Sequence, residues 1–581
     1  MYERIAGVLM MAGTALIASG TGAGPAASWR PAVEAAVSLH ATPVTTGGGA
    51  AAETAPAPPQ SAAAPPEGDD PELFHTSDRC LACHKGVTTS SGEDVSIGYD
   101  WRPTMMANSA RDPYWQAAVR REVADHPEVA AVIENTCSRC HMPMANVTAR
   151  QGGGMGTIFE NLPVGRSQAP GAALAADGVS CAVCHQITPD GLGEEESFEG
   201  GYRISPDTPT EGRTIYGPFE PDEGGASIMH SATGFAPTEG PHVQSADLCA
   251  TCHTLFTSSA RTDGSRGPQF PEQVPYLEWE ASSYADAGTT CQDCHMPEVD
   301  EDVPVTAVLG RARPEVSRHV FRGGNFFMLR MLNRYRAELA VVAQPRELAL
   351  AADRTVEHLA TATASVRVTD VARDGDRLVA DVEVHNLAGH KFPTAYPSRR
   401  AWLHVTVTDA GGRTVFESGA FRSDGSVSGN DNDEDPDRFE PHHSEITQPD
   451  QVQVYEAIMA DDAGSVTTGL MSAERWLKEN RLLPDGFDRA RVDPRAAIHG
   501  EATSDGDFVA GGDRVRYSVR LGSAVGPLTV EAELWFQPIG YRWAHNLDGY
   551  DTFETDRFVR YYREMAGSSA TVVASGSAVV E

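Results

Sequence analysis

Residues 134–144 read ENTCSRCHMPM. Cys137 and Cys140 stand two residues apart, and His141 follows at once. The spacing returns as Cys80-Leu-Ala-Cys83-His84, Cys181-Ala-Val-Cys184-His185, Cys249-Ala-Thr-Cys252-His253 and Cys291-Gln-Asp-Cys294-His295. These five units use all ten cysteines of the chain. The fold must serve a chemistry that needs five copies of one small unit and no other cysteine.

C-x-x-C-H is the attachment signature of c-type haem. Two intervening residues bring both sulfurs to one side of a tight turn, where they can form thioethers with the two vinyl groups of one porphyrin. The next residue projects beneath the ring, where its imidazole reaches the iron. Zinc is the rival. Two C-x-x-C units can build a tetrahedral site, but five leave one unpaired and give the fixed histidine no role. A disulfide across two residues also has no need of that histidine. The pattern therefore predicts five covalent haem c groups, with His84, His141, His185, His253 and His295 as proximal ligands.

CHMPM at 140–144 and CHMPE at 294–298 resemble the C-H-M-P turn of multihaem c-type cytochromes. That superfamily includes the tetrahaem cytochrome partner of hydroxylamine oxidoreductase, the oxidoreductase itself and pentahaem nitrite reductase. The resemblance covers residues 73–330. It implies a loop-rich, mainly helical fold with stacked haems and electron transfer along them, and it fixes no substrate. Relatives often carry Trp-x-x-Ser-x-His after the first motif, with that histidine on iron. Here the text is Trp101-Arg-Pro-Thr-Met-Met106, so a methionine holds the ligand position. Met106 is either a thioether ligand or a flexible core filler.

The number of sixth ligands bears on function, because a vacant position admits substrate. The distal candidates are His75, His126, His230, His242, His319 and, further on, His390, beside Met106. His75 lies too near Cys80 to cap its own haem easily. His242 and His319 match places where relatives carry a distal histidine. His126 and His230 read equally well as cap or surface residues. His390 lies in HNLAGHKFPTAYPSRRAW (385–402), where Gly389 and Pro393 predict a rigid turn between strands. A Gly-His-x-x-Pro-Thr turn resembles one in C-terminal domains fused to such cytochromes. It implies a strut onto a haem, with a structural turn histidine as the other reading.

The chain has 581 residues, 41% of them hydrophobic, and a net charge of −35. That charge argues against nucleic acid and anionic membranes as partners and favours a basic redox protein. Residues 1–28 read as a signal peptide, with Arg4 before an apolar core and small residues after it. The apolar core is short for a retained anchor, and no cysteine near it could carry a lipid. Export to the periplasm or outside the cell follows. Residues 29–71, rich in Ala and Pro, read as a disordered linker. A pentahaem cytochrome domain is expected over 72–345, with a helix at 325–343.

Residues 346–581 open with a helix near 346–360 and then alternate in the strand period. ASVRVTDV, DRLVADVEVHN, WLHVTVTD, QVQVYEAIM, RVRYSVRL and LTVEAELWFQ predict an immunoglobulin-like β-sandwich, with insertions near 422–450 and 464–500 and a closing helix over 553–565. The overall class is α+β multidomain. In GNDNDEDPDRFEPHH (429–443), Asp431, Asp433, Asp435 and Asp437 alternate as calcium ligands can. Pro436 stands where the loop of an EF-hand needs glycine, so a solvated loop competes with calcium.

The expected function is electron transfer between redox partners in respiration. An oxidoreductase acting on a small nitrogen or sulfur species, or peroxide, at one open haem is the alternative. Nitrite reductases usually end their catalytic motif in Lys, and all five motifs here end in His. A homo-oligomer stacked as a conductive filament is the third reading.

Overall fold

The computed structural model describes residues 73–581, apart from 206, 209–211 and 262–264. The expected signal peptide and linker lie outside the described residues. Residues Asp69–Glu581 form one compact unit.

The first half is built of short helices joined by long loops and a few two- and three-stranded ribbons. Its longest helix is α1 (Pro113–Asp125), followed by α2 (Ala130–His141) and the short α3 (Pro275–Glu280). Asp112 caps α1 by accepting from the backbone N–H groups of Tyr114 and Trp115, and Pro113 occupies the first turn. The ribbons, Leu255–Ala260 with Arg266–Gln273 and Gly212–Gly217 with Phe235–Glu239, add strand content that the sequence reading of this half did not contain.

Helix α4 covers Phe326–Arg334 and ends well short of 343. After it the chain turns so that the Tyr335 ring stacks on Tyr561 at 3.6 Å. Ala340 takes a left-handed backbone with φ 51°, and Arg336 Nε donates to Ala343 O at 2.9 Å. Helix α5, Pro345–Ala362, begins at a proline with a reciprocal Gln344–Glu347 capping box.

Two sheets then follow. One orders β4 (Thr414–Ser418), β3 (Arg400–Thr408), β6 (Leu528–Gln537) and β7 (Thr571–Val580), all antiparallel. The other orders β5 (Gly512–Arg520), β2 (Arg377–Asn386) and β1 (Ala364–Asp374), with the pair Glu445–Ile446 added parallel to β5. Both sheets contribute to one hydrophobic core that includes Val382, Val405, Val515 and Leu534. The expected single strand over 451–459 is split. Val454–Tyr455 pairs with β3, while Ala457–Ala460 joins a separate small sheet with Arg475–Glu479. The expected closing helix is α6, Phe553–Met565, but β7 follows it and completes the first sheet.

Tyr114 and Ala117 of α1 and Phe326, Phe327 and Leu332 of α4 belong to the same core as the sheets. One core therefore crosses residue 345. Residues of the sheet region are brought against the C-x-x-C-H units without a linker between them.

Candidate haem sites

All five motifs adopt a helical turn. His84 N donates to Cys80 O at 3.0 Å and His185 N to Cys181 O at 3.1 Å. The second motif ends α2, and the fourth and fifth lie in Ala246–His253 and Cys291–His295. A helical turn puts residues i, i+3 and i+4 on one face, which aligns both sulfurs and the imidazole of each unit.

The units gather around one cavity of about 1540 Å³. All ten cysteines and all five motif histidines line it. A single small-molecule site takes roughly 300–1,000 Å³, so this space suits several large groups. Three pairs of thiols from different motifs lie near enough to shift one another's pKa: Cys80 with Cys181, Cys140 with Cys252, and Cys249 with Cys291. Cys184 also feels the charge of Cys252. The first motif thus adjoins the third, the third adjoins the fourth, and the fourth adjoins both the second and the fifth.

The motif histidines are oriented by backbone oxygens far away in sequence. His84 Nδ1 bonds to Val305 O at 2.9 Å, His185 Nδ1 to Tyr216 O at 2.6 Å, and His295 Nδ1 to Arg322 O. This bond fixes the tautomer and leaves Nε2 for a metal. His141 differs: its ring stacks on Trp115 at 4.4 Å. Burial lowers the pKa of His141 and His295 to about 4 and also lowers those of His185 and His253. All four stay neutral at pH 7, the form that binds a metal.

Two of the predicted distal histidines stand opposite motif histidines. The His185 and His319 ring centroids are 6.2 Å apart with planes 21° apart. For His295 and His390 the values are 6.2 Å and 15°. Metal–imidazole bonds of about 2 Å from either side put two ring centroids roughly 6 Å apart, so each pair fits a six-coordinate iron between its rings. His390 Nδ1 bonds to Lys391 O at 2.8 Å and His319 Nδ1 to Ser317 O at 3.2 Å. In both rings Nε2 is the free atom.

His358 on α5 was missed by the sequence reading. Its ring lies 6.3 Å from that of His295, at 61°. It sits inside an amphipathic helix, where nothing local separates it from an ordinary polar residue. Met106 lines the cavity, as does its neighbour Met105, which also packs against the main core.

His75, His126, His230 and His242 do not line the cavity. His75 Nε2 bonds to Thr233 O at 2.8 Å, and His242 Nε2 to Ile187 O at 2.9 Å. His126 Nε2 meets Ser472 Oγ at 3.3 Å, and His230 is exposed on the helix Glu223–Thr233.

In the acidic run, read as a solvated loop or as calcium ligands, side-chain and backbone groups engage three of the four aspartates. Asp433 makes a two-point ion pair with Arg400, at 2.7 and 2.9 Å. Asp431 pairs with Arg438, and Asp435 caps the backbone of Asp437. Their oxygens are turned to these partners and not to a common centre. Elsewhere His442, Asp505 and Asp513 bring ligand-type atoms within 4.8 Å of one another. Yet His442 Nδ1 receives N–H groups from Gln453 at 2.9 Å and Asn480 at 3.0 Å. Both amides are oriented by backbone N–H donors to their oxygens. The His442 proton is therefore on Nε2, facing Asp505, and the group is a hydrogen-bond network.

The sequence matches no family model, and no curated protein matches it. In structure the chain is similar to a penta-haem cytochrome c552 from Thermochromatium tepidum. The match has a TM-score of 0.50 at 16% identity and covers 88% of this chain and 100% of the other. At that identity the likeness is one of fold.

Proposed function

We propose that this protein is an exported pentahaem c-type cytochrome that passes electrons between redox partners in periplasmic or extracellular respiration. The observation that carries the reading is the one cavity that reaches all ten motif sulfurs and holds two facing imidazole pairs at 6.2 Å. Haem iron supplies one-electron exchange without bond-making. His185 with His319 and His295 with His390 would hold two haem irons. His84, His141 and His253 would hold the other three, with Met106 a candidate for a further ligand. The contacts between motifs leave no unit isolated from the rest. The two-sheet region, read as an immunoglobulin-like sandwich, supplies His390. The charge of −35 favours a basic donor or acceptor. Mass spectrometry of the acid-denatured protein should retain five haem masses, and the oxidised spectrum should contain at least two low-spin haems, those of the two facing imidazole pairs. Loss of haem on denaturation would sink the reading.

Glu272 favours a second reading, in which the second motif's haem is open to a small nitrogen or sulfur species or to peroxide. This carboxyl is 5% exposed and lines the cavity near Cys137 and Cys140. Burial first, then the neighbouring Glu122 and Glu199, push its pKa up to about 8. A protonated acid beside a haem is a proton source for such chemistry. Titration with cyanide, nitrite and hydroxylamine separates the two readings. Stoichiometric binding to one ferric haem, with turnover, puts the enzyme first.

A further inference from the structure

Four charged side chains are sealed beside His390. Lys391 is 0% exposed, and its Nζ donates to Glu479 Oε2 at 2.6 Å. Arg481 pairs with Glu479 and lies 2.8 Å from Glu278 Oε1. Glu278 is 0% exposed and Glu479 1%. The quartet holds two charges of each sign and draws on three segments: α3, the His390 turn and the strand Arg475–Glu479 with the residues just after it.

The quartet grips the turn at several points. The backbone N–H of Lys391 donates to Glu278 Oε2 at 3.2 Å, and Thr394 Oγ1 donates to the same oxygen at 2.5 Å. Arg481 Nη1 reaches Pro393 O at 3.5 Å. Asn386 Nδ2 ties His390 O at 2.9 Å to Leu482 O at 3.0 Å. Buried ion pairs are weak contributors to stability, and apolar residues often replace them without loss. Their attested use is to specify one arrangement, and here the arrangement is that of a ring 6.2 Å from His295.

We propose that Glu278, Lys391, Glu479 and Arg481 form a charge-balanced clamp that fixes His390 opposite His295 and sets the reduction potential of the haem between them. This rests on the reading of His390 as an axial ligand. The four are positioning residues. Because the site excludes water, a single uncompensated charge acts on the iron with little screening. Lys391→Met leaves one excess negative charge, which stabilises ferric iron and lowers that potential. Glu278→Gln leaves one excess positive charge and raises it.

The test is spectroelectrochemical titration and EPR of the holoprotein. One of the five midpoint potentials should fall in Lys391→Met and rise in Glu278→Gln. The double variant Lys391→Met/Glu479→Gln, neutral again, should return it toward wild type. Lys391→Gln and Glu278→Asp stand in where a first variant does not fold; the former should lower the potential, and the latter should leave it while changing the EPR g-values of that haem. Shifts of the same sign in Lys391→Met and Glu278→Gln overturn the clamp. So does an unchanged potential in a protein whose His390→Ala variant turns one haem high-spin. If His390→Ala itself changes no haem, it is the axial reading that fails.

Discussion

An imidazole binds iron in its neutral form, and burial holds the facing rings in that form. Burial lowers the pKa of His319 to about 3 and that of His358 to about 4, and it lowers that of His390 as well. None of these rings needs to lose a proton at pH 7 before binding. Removing a true sixth ligand should convert one haem to high spin. His319→Ala and His390→Ala are each expected to do so, at different haems, as read by EPR of the oxidised protein. His358 and His390 both face His295, and one iron takes only one of them. The near-parallel ring and the backbone bond at Nδ1 favour His390. His358→Ala should therefore leave the low-spin signals unchanged; a new high-spin signal there, and none in His390→Ala, reverses the assignment. Met106 points to a different outcome. A thioether favours ferrous iron and raises the potential. Met106→His should abolish the weak near-infrared band of His–Met ligation and lower a single potential. A wild-type spectrum without that band assigns Met106 to the cavity wall.

At the scale of elements, the sheet region is locked by buried polar pairs as well as by its apolar strands. Helix Asp431–Glu434, inside the insertion after β4, is bound to β3 through Arg400 and Asp433, whose side chains are 5% and 1% exposed. Asp433 also accepts the backbone N–H of Val427 at 2.7 Å. Asp433→Asn removes one charge and strands the buried guanidinium of Arg400. Breaking a pair of this kind costs about 3–5 kcal/mol, to be read as a lower denaturant midpoint with the haem spectra unchanged in native buffer. A loss of less than about 1 kcal/mol would mean that the insertion is held by its apolar contacts alone. The sequence pattern identified the strands of this region because they alternate in period two. It could not place Arg400 and Asp433 together, since neither the acidic run nor β3 carries a local sign of the other. The same gap left calcium open beside a solvated loop: alternate aspartates are visible in sequence, but the Arg400 and Arg438 guanidinium groups that engage Asp433 and Asp431 are not.

For the whole molecule, the decisive quantity is charge. At −35 the protein carries a field that attracts basic partners from beyond contact distance. Electron exchange with a small basic cytochrome c should slow steeply as salt rises, because the Debye length contracts to about 8 Å at physiological ionic strength. Stopped-flow rates from low to physiological salt measure it. A rate indifferent to salt, or faster with an acidic partner, would show that the docking patch is not set by the net charge. The helix α6 carries the same lesson for architecture. Its Glu554 pairs with Arg120 of α1 at 2.8 Å, and Arg557 reaches Gln116, so α6 closes onto the helix that precedes the second motif's helix.

The sequence by itself determined the covalent chemistry. Both sulfurs and the proximal imidazole of each unit lie within five consecutive residues, and one helical turn is enough to align them. Period-two alternation likewise announced most strands, and the Gly-His-x-x-Pro-Thr turn marked His390 as either a ligand candidate or a structural turn residue. The tertiary structure decided everything that needs two distant segments at once. Which histidine faces which motif, that His358 joins them, that His242 is instead bonded to a backbone carbonyl, and that four charges close behind Lys391 are all outcomes of packing. A ligand across a haem is defined by a distance of a few ångströms in space, and residues far apart along the chain satisfy it without leaving any local pattern in their sequence.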